Sequence, residues 1–283
     1  MSAEAMQAAA GFVQQLAGDL NQGDLELPVF PDSVVRIQRA FGAEEVNIDE
    51  IVRIISSDQA IAARVLQLSN SAAMRGAMEI TEVRQAVIRM GNKMVQSSVV
   101  AFALRQAEKS QDLSDDSRAA LKVIWKESIE LAARCHVIAK NYTKLNADEA
   151  LLTGLLSLLG RIYIFLKSEE FAEIEYSELE PIIASWHPAI SKAIAESWGM
   201  SEELVNALET QLETDPTLQE SATLAEVLSA AKIMSDHSLS GDALIASEYP
   251  LLQRLGIANH DDTDVSLDAH ADAVDAIRQS FGG

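Results

Sequence analysis

Apolar residues along this chain recur at helical spacing and hardly anywhere at strand spacing. Ile48, Ile51, Val52 and Ile55 follow Asn47 at i, i+3, i+4 and i+7, the stripe that one face of an α-helix presents. Asn47 and Glu50 stand at capping-box spacing, in which each side chain meets a free backbone N–H of the first turn. Asp58 reads as the cap of a second helix, with Ile61, Val65 and Leu68 on one face and Ala62 and Leu66 widening it. Asn70-Ser71 ends that helix, Gly76 falls in the loop that follows, and Gly91-Asn92 marks a break between two further helices.

A long helix is expected from about Asp116 to Tyr142. Asn146 and Glu149 repeat the capping-box spacing ahead of a very apolar helix over 147–166, which should lie at the centre of a bundle. Gly154 and Gly160 each weaken that helix by about 1 kcal/mol relative to Ala, so close packing of neighbouring helices is the reason to expect for them. Pro188 suits the first turn of another helix, Trp198-Gly199 ends it, and Ser201 caps the next. No Asn-Gly or Asp-Gly hairpin signal accompanies the β-branched residues. The expected fold is all-α, a bundle of many helices in two lobes. Residues 1–22 read as an N-terminal helix and 23–213 as the main domain, entered through an extended segment at 23–31. Residues 214–283 read as a helical extension, with a loop near 259–264 before its last helix.

Charge narrows the function. The net charge is −21, and it is uneven: residues 1–200 carry 27 acids and 19 bases, residues 201–283 carry 16 acids and 3 bases. Nucleic-acid binders and proteins that dock on anionic membranes gain affinity from Lys and Arg, so neither partner is expected. The acidic end serves as a solubilising face or as a dock for a basic partner. A single cysteine, Cys135, permits no internal disulfide, and residues 1–22 lack a basic start and an apolar run. Both point to the cytoplasm. The apolar stretch Leu151 to Leu166 is 16 residues long and contains Arg161, so a buried core helix is expected rather than a membrane span.

Several segments, in order, resemble the HDOD family. Leu27-Pro28-Val29-Phe30-Pro31 resembles its opening LPxLP, and Ile54 to Ala72 (IISSDQAIAARVLQLSNSA) resembles its I..DPALAARLLRLANSA, with Gln59 where proline is usual. Ile80 to Gly91 (ITEVRQAVIRMG) is similar to ISSLRQAILRLG. Trp125-Lys126-Glu127-Ser128, Ala150 to Gly160, Trp186-His187-Pro188 and Ala195 to Leu208 continue the likeness, which covers residues 25 to 213. Pro28, Pro31, Asp58 and Gly91 are signature positions with a structural part.

The resemblance implies the framework of a metal-dependent phosphohydrolase. Such an enzyme needs several convergent His and Asp ligands, because the metal must activate water and clamp phosphate oxygens. Here Ser157-Leu158 takes the place of the central His-Asp pair, Glu127 that of the upstream histidine and Thr210-Gln211 that of the downstream doublet. Of these vestigial positions only His187 keeps a plausible ligand, and a capping or structural part is the plainer reading of it. His136, beside Cys135 on the long helix, points about 100° away from it and cannot easily share a metal. His260-Asp261, with Asp262 and Asp264, reads as a hydrated loop. No catalytic residue, metal or cofactor is therefore expected. The expected function is a regulatory module of bacterial signal transduction acting through protein partners, with a homodimer allowed. The groove between the lobes, built by Asn70, Ser71, Met74 and helix 182–199, is the expected interaction surface. The alternatives are a phosphohydrolase with an altered site and a nucleotide sensor in which Arg161 pairs with a phosphate; a salt bridge from Arg161 to Glu127 or Glu130 is the plainer expectation.

Overall fold

The computed structural model describes residues 3–23, 25, 27, 30–71, 74, 78–108, 113–171, 174, 176–211, 221–240, 244–245, 248–258 and 270–281. All regular structure among them is helical. The helices are α1 (Ala3–Gln22), α2 (Asp32–Gly42), α3 (Ile48–Ser57), α4 (Gln59–Ser69), α5 (Val83–Met90), α6 (Asn92–Glu108) and α7 (Asp115–Tyr142). They continue with α8 (Ala147–Leu156), α9 (Leu159–Ser168), α10 (Tyr176–Ser197), α11 (Glu202–Glu209), α12 (Leu224–Ser240), α13 (Pro250–Arg254) and α14 (Ala271–Phe281).

Side-chain caps start the helices where the sequence places them. Asn47 Oδ1 accepts from Glu50 N, Asp58 from Ala60 N and Ile61 N, Asn146 from Asp148 N and Glu149 N, and Ser201 Oγ from Leu204 N. Glu149 does not turn back to its own helix start. Its carboxylate takes Lys93 Nζ and Ser201 Oγ, each at 2.8 Å, and so fastens α8 to α6 and α11. Asp58 also accepts from Ser33 Oγ at 2.8 Å, joining α2 to α4. Pro31 precedes α2, and beside it Phe30 stacks on Trp198 with ring centroids 6.2 Å apart. Gly91 takes φ 74° between α5 and α6, a conformation that a Cβ disfavours. Pro28 and the His260-Asp261 pair lie outside the described residues.

Helices α2 to α5 pack on one another and on α6, while α7 to α11 form a second lobe; α6 touches both α7 and α8 and joins the two. One apolar cluster runs from Phe12 to Phe281. α8 and α9 form its centre, with Leu151, Leu152, Leu155 and Leu156 fully buried. The apolar run is thus spent inside the protein. Gly154 lets α8 meet α7, since a Cβ there would lie 2.8 Å from Ala132 Cα. The extension packs on the same body: α12 on α7, α8 and α11, and α14 on α7 and α6.

Two expectations need correction. Residues 147–166 are two helices, broken at Ser157-Leu158. The Arg161 N–H donates to Leu158 O at 3.1 Å, and Ser157 O accepts instead from Ser191 Oγ, also at 3.1 Å. A hydroxyl on another helix replaces the internal donor and the helix turns there. Pro188 does not start a helix. It lies with Pro181 inside α10, which therefore lacks the N–H that would bond Ala184 O. Burial of Ile183, His187, Ile190 and Ile194 holds the helix together across that gap.

Candidate functional site

The turn between α8 and α9 lies where α7, α10 and α12 converge. Ser191 Oγ accepts from Gly160 N at 2.9 Å while it donates to Ser157 O, so one hydroxyl clamps α10 to the break. Only glycine fits at 160, because a Cβ there would lie 2.1 Å from His187 O. This contact brings His187 against the start of α9. A cavity of about 250 Å³ opens beside it, lined by Glu127 from α7, Leu158 and Arg161 around the start of α9, His187 from α10, and Lys232 and Ser235 from α12.

The vestigial positions other than His187 are spent on structure or on ion pairs. Ser157 Oγ donates to Gly154 O at 2.7 Å, and Leu158 is buried. Glu127 receives Arg161 Nη1 at 3.2 and 3.0 Å, so the salt bridge expected for Arg161 is formed with Glu127. Glu130 pairs with Arg134 and Arg278 instead. Thr210 Oγ1 returns to Asn206 O, and Gln211 Oε1 accepts from Lys232 Nζ at 2.7 Å.

Burial sets the electrostatics. It pushes the His187 imidazole down to about 3; the nearby Lys232 and Arg161 push the same way, and hydrogen bonding to the Ser157 backbone opposes them. His187 is therefore neutral, and it is an interior residue of α10 rather than a cap. Burial also lowers Lys232 to about 8, against the attraction of Glu127 and Asp236. It raises the Cys135 thiol, near Lys232, to about 12, which leaves no thiolate for nucleophilic chemistry. His136 points elsewhere, with Nδ1 3.5 Å from Asp148 Oδ1.

A divalent metal does not suit this set of donors. Among the described residues no three His, Cys, Asp or Glu side chains gather to hold one. The neutral imidazole of His187 faces an ammonium and a guanidinium, and the Glu127 carboxylate is already paired with that guanidinium. Both cations would repel a divalent ion placed between them.

The second group of candidate residues lies elsewhere. Asn70 and Ser71 line a separate cavity of about 570 Å³ with Arg64, Arg105 and the end of α14, so they share no groove with helix 182–199. Asn70 is tied down: Nδ2 donates to Ile80 O at 2.7 Å and to Leu66 O at 3.1 Å, and Oδ1 accepts from Ile80 N at 2.9 Å. It pins the end of α4 to the entry of α5. Met74 N follows with a bond to Ser71 O. Sequence reasoning missed Lys232 and Ser235, which reach the first cavity from the extension. The signal available was that Lys232 is one of only 3 bases among residues 201–283.

Residues 27–214 match the HDOD domain. An uncharacterised protein of Treponema pallidum (strain Nichols) is 26% identical over 200 residues, a match that takes in 65% of this chain and 37% of that protein's length. In structure the chain is similar to a Shewanella amazonensis SB2B protein provisionally assigned as a metal-dependent phosphohydrolase. The TM-score is 0.72 at 21% identity, over 99% of this chain and 100% of that one. It is similar also to an HDOD domain protein of unknown function from Geobacter sulfurreducens, with TM-score 0.62 at 20% identity over 98% and 97% of the two chains. A third likeness is to a Marinobacter aquaeolei VT8 protein provisionally assigned to signal transduction, with TM-score 0.60 at 19% identity over 97% and 66%. These likenesses give the fold, and the match over residues 27–214, the greater part of the chain, shows that it belongs to the HDOD domain family.

Proposed function

We propose that this protein is a non-catalytic regulatory module of bacterial signal transduction, working in the cytoplasm through contacts with protein partners. The observation that carries this reading is the Arg161–Glu127 ion pair with the Lys232 ammonium beside it, in the cavity where a hydrolase would hold its metal. A side-chain ammonium has no open coordination position and cannot turn water into a nucleophile as a metal does. Membership of the HDOD family and the signal-transduction assignment of the Marinobacter relative agree with a regulatory part. Exposed apolar side chains such as Met78 and Ile88, 78% and 67% accessible, offer surface for a protein partner. The acidic balance disfavours nucleic acid and anionic membranes as partners.

The test is metal analysis after purification without chelator, with a phosphodiesterase assay in added manganese. Substoichiometric metal and no turnover are expected. Stoichiometric iron or manganese together with hydrolysis would establish the altered phosphohydrolase instead.

A further inference from the structure

The cavity between α7, α9, α10 and α12 holds unspent hydrogen-bonding capacity. His187 Nδ1, Arg161 Nε and Ser235 Oγ are each buried without a partner among the described residues, and they come from three different helices. His187 and Ser235 are each only 6% exposed. A buried polar group left unmet costs about 1–3 kcal/mol, so native structures seldom collect several around one space unless something fills it. Among the described residues Lys232 donates to Gln211 alone and keeps a third N–H. Ala184, on the same wall, has a carbonyl that Pro188 cannot serve.

These groups define a complementary ligand. Lys232 Nζ and Arg161 Nε are donors, and Ser235 Oγ can be one, so an oxyanion satisfies them together. The neutral ring of His187 has one donor and one acceptor. With the donor turned to the Ser157 backbone, Nδ1 is the acceptor and needs an N–H or O–H. Three carboxylates also border the space: Glu127, already paired with Arg161, and Glu180 and Asp236. They disfavour a second negative charge. The volume, about 250 Å³, lies below the roughly 300–1,000 Å³ of drug-sized sites and suits a ligand smaller than a nucleotide.

We propose that the cavity binds a small monocarboxylate carrying a neighbouring hydroxyl or amine, that is, a hydroxy acid or an amino acid. The carboxylate sits against Lys232, Arg161 Nε and Ser235, and the neighbouring donor reaches His187 Nδ1. Lys232 and Ser235 stand on α12, beyond the residues that match the family, so the ligand joins this chain's extension to the HDOD bundle. The inference rests on the non-catalytic reading, because a metal would compete for His187 and Glu127.

Isothermal titration of the full metal-free chain tests it, with L-lactate, L-alanine, propionate and inorganic phosphate as probes. Lactate or alanine is expected to bind more tightly than propionate, which lacks the second donor; the tighter of the two identifies that donor. Lys232→Met and Ser235→Ala are each expected to weaken binding about tenfold to a hundredfold, as loss of a charge-assisted hydrogen bond does. Ser235→Ala removes a single oxygen and keeps the test alive should Lys232→Met fail to fold. Binding of none of the probes, phosphate bound more tightly than the carboxylates, or affinities unchanged by both substitutions would overturn the proposal. Manganese-dependent phosphodiester hydrolysis would overturn the underlying reading instead and is measured separately.

Discussion

Alanine at Gly160 separates two opposed physical effects. Helix propensity alone makes Gly160→Ala stabilising, by at most about 1 kcal/mol. Packing predicts the reverse. The new Cβ would lie 2.1 Å from His187 O and 2.8 and 2.9 Å from His187 C and Cα, and all three are backbone atoms that no rotamer change can move. Reaching an ordinary contact requires α9 and α10 to separate by about 1 Å, and overpacking of this kind costs about 1–3 kcal/mol. The same separation stretches both bonds of the Ser191 clamp, now 2.9 and 3.1 Å, each worth about 1 kcal/mol. After the propensity gain is set against these, the expected net loss is about 2–4 kcal/mol, read from the urea midpoint at constant slope. Gly18→Ala is the matched control. It lies in α1 with no described neighbour within 4 Å of its would-be Cβ, so it should gain about 0.5–1 kcal/mol. A Gly160→Ala protein as stable as the parent would refute the reasoning, since propensity would then outweigh the packing at that crossing.

Two further substitutions probe the other groups. Asn70→Ala removes the three bonds to Ile80 and Leu66 and should cost about 2–3 kcal/mol; a loss under about 0.5 kcal/mol by urea titration would show that the α4–α5 junction does not depend on it. Lys232 has a pKa of about 8 when folded, against the ordinary lysine value of 10.5, so between these values the unfolded chain binds more protons and stability rises with pH. Lys232→Met lacks that rise. The advantage of the parent over the variant should therefore grow, by on the order of 2 kcal/mol, as pH goes from 8 to 10.5. Parallel pH profiles would contradict a buried ammonium.

The parts of the fold legible in the sequence are those decided within a few residues. Asn47, Asp58, Asn146 and Ser201 cap helices because a short polar side chain reaches an N–H two or three positions on. Gly154 and Gly160 were readable as close approaches, since an apolar helix gains nothing else from glycine. The break at Ser157 was not readable, because its carbonyl is taken by Ser191, 34 residues away. Pro188 misled for a related reason: proline favours a first turn locally, but the burial of α10 on both sides of it outweighs one missing bond. The candidate site was half legible. Glu127, Leu158, Arg161 and His187 do meet, whereas Asn70 and Ser71 face another cavity beside α14. Their separation depends on where the extension packs, and no periodicity reports that.

The Arg161–Glu127 ion pair and the approach of Lys232 belong to one electrostatic arrangement. A framework that converges a carboxylate and an imidazole on one point needs positive charge there, or the carboxylate is buried without compensation. A bound cation can supply that charge, and so can tethered side chains. Here Arg161 neutralises Glu127 directly, and Lys232 approaches from α12. Tethered cations differ from an ion in that they offer N–H donors and no open coordination position, so they can orient an anion but cannot activate water as a metal does. Burial keeps His187 neutral, and Lys232 and Arg161 reinforce it by opposing its proton. Because Lys232 belongs to the extension and Arg161 to the bundle, whatever settles between them is sensitive to how α12 packs on α7. That packing is the place in this fold where ligand occupancy could be passed to a partner.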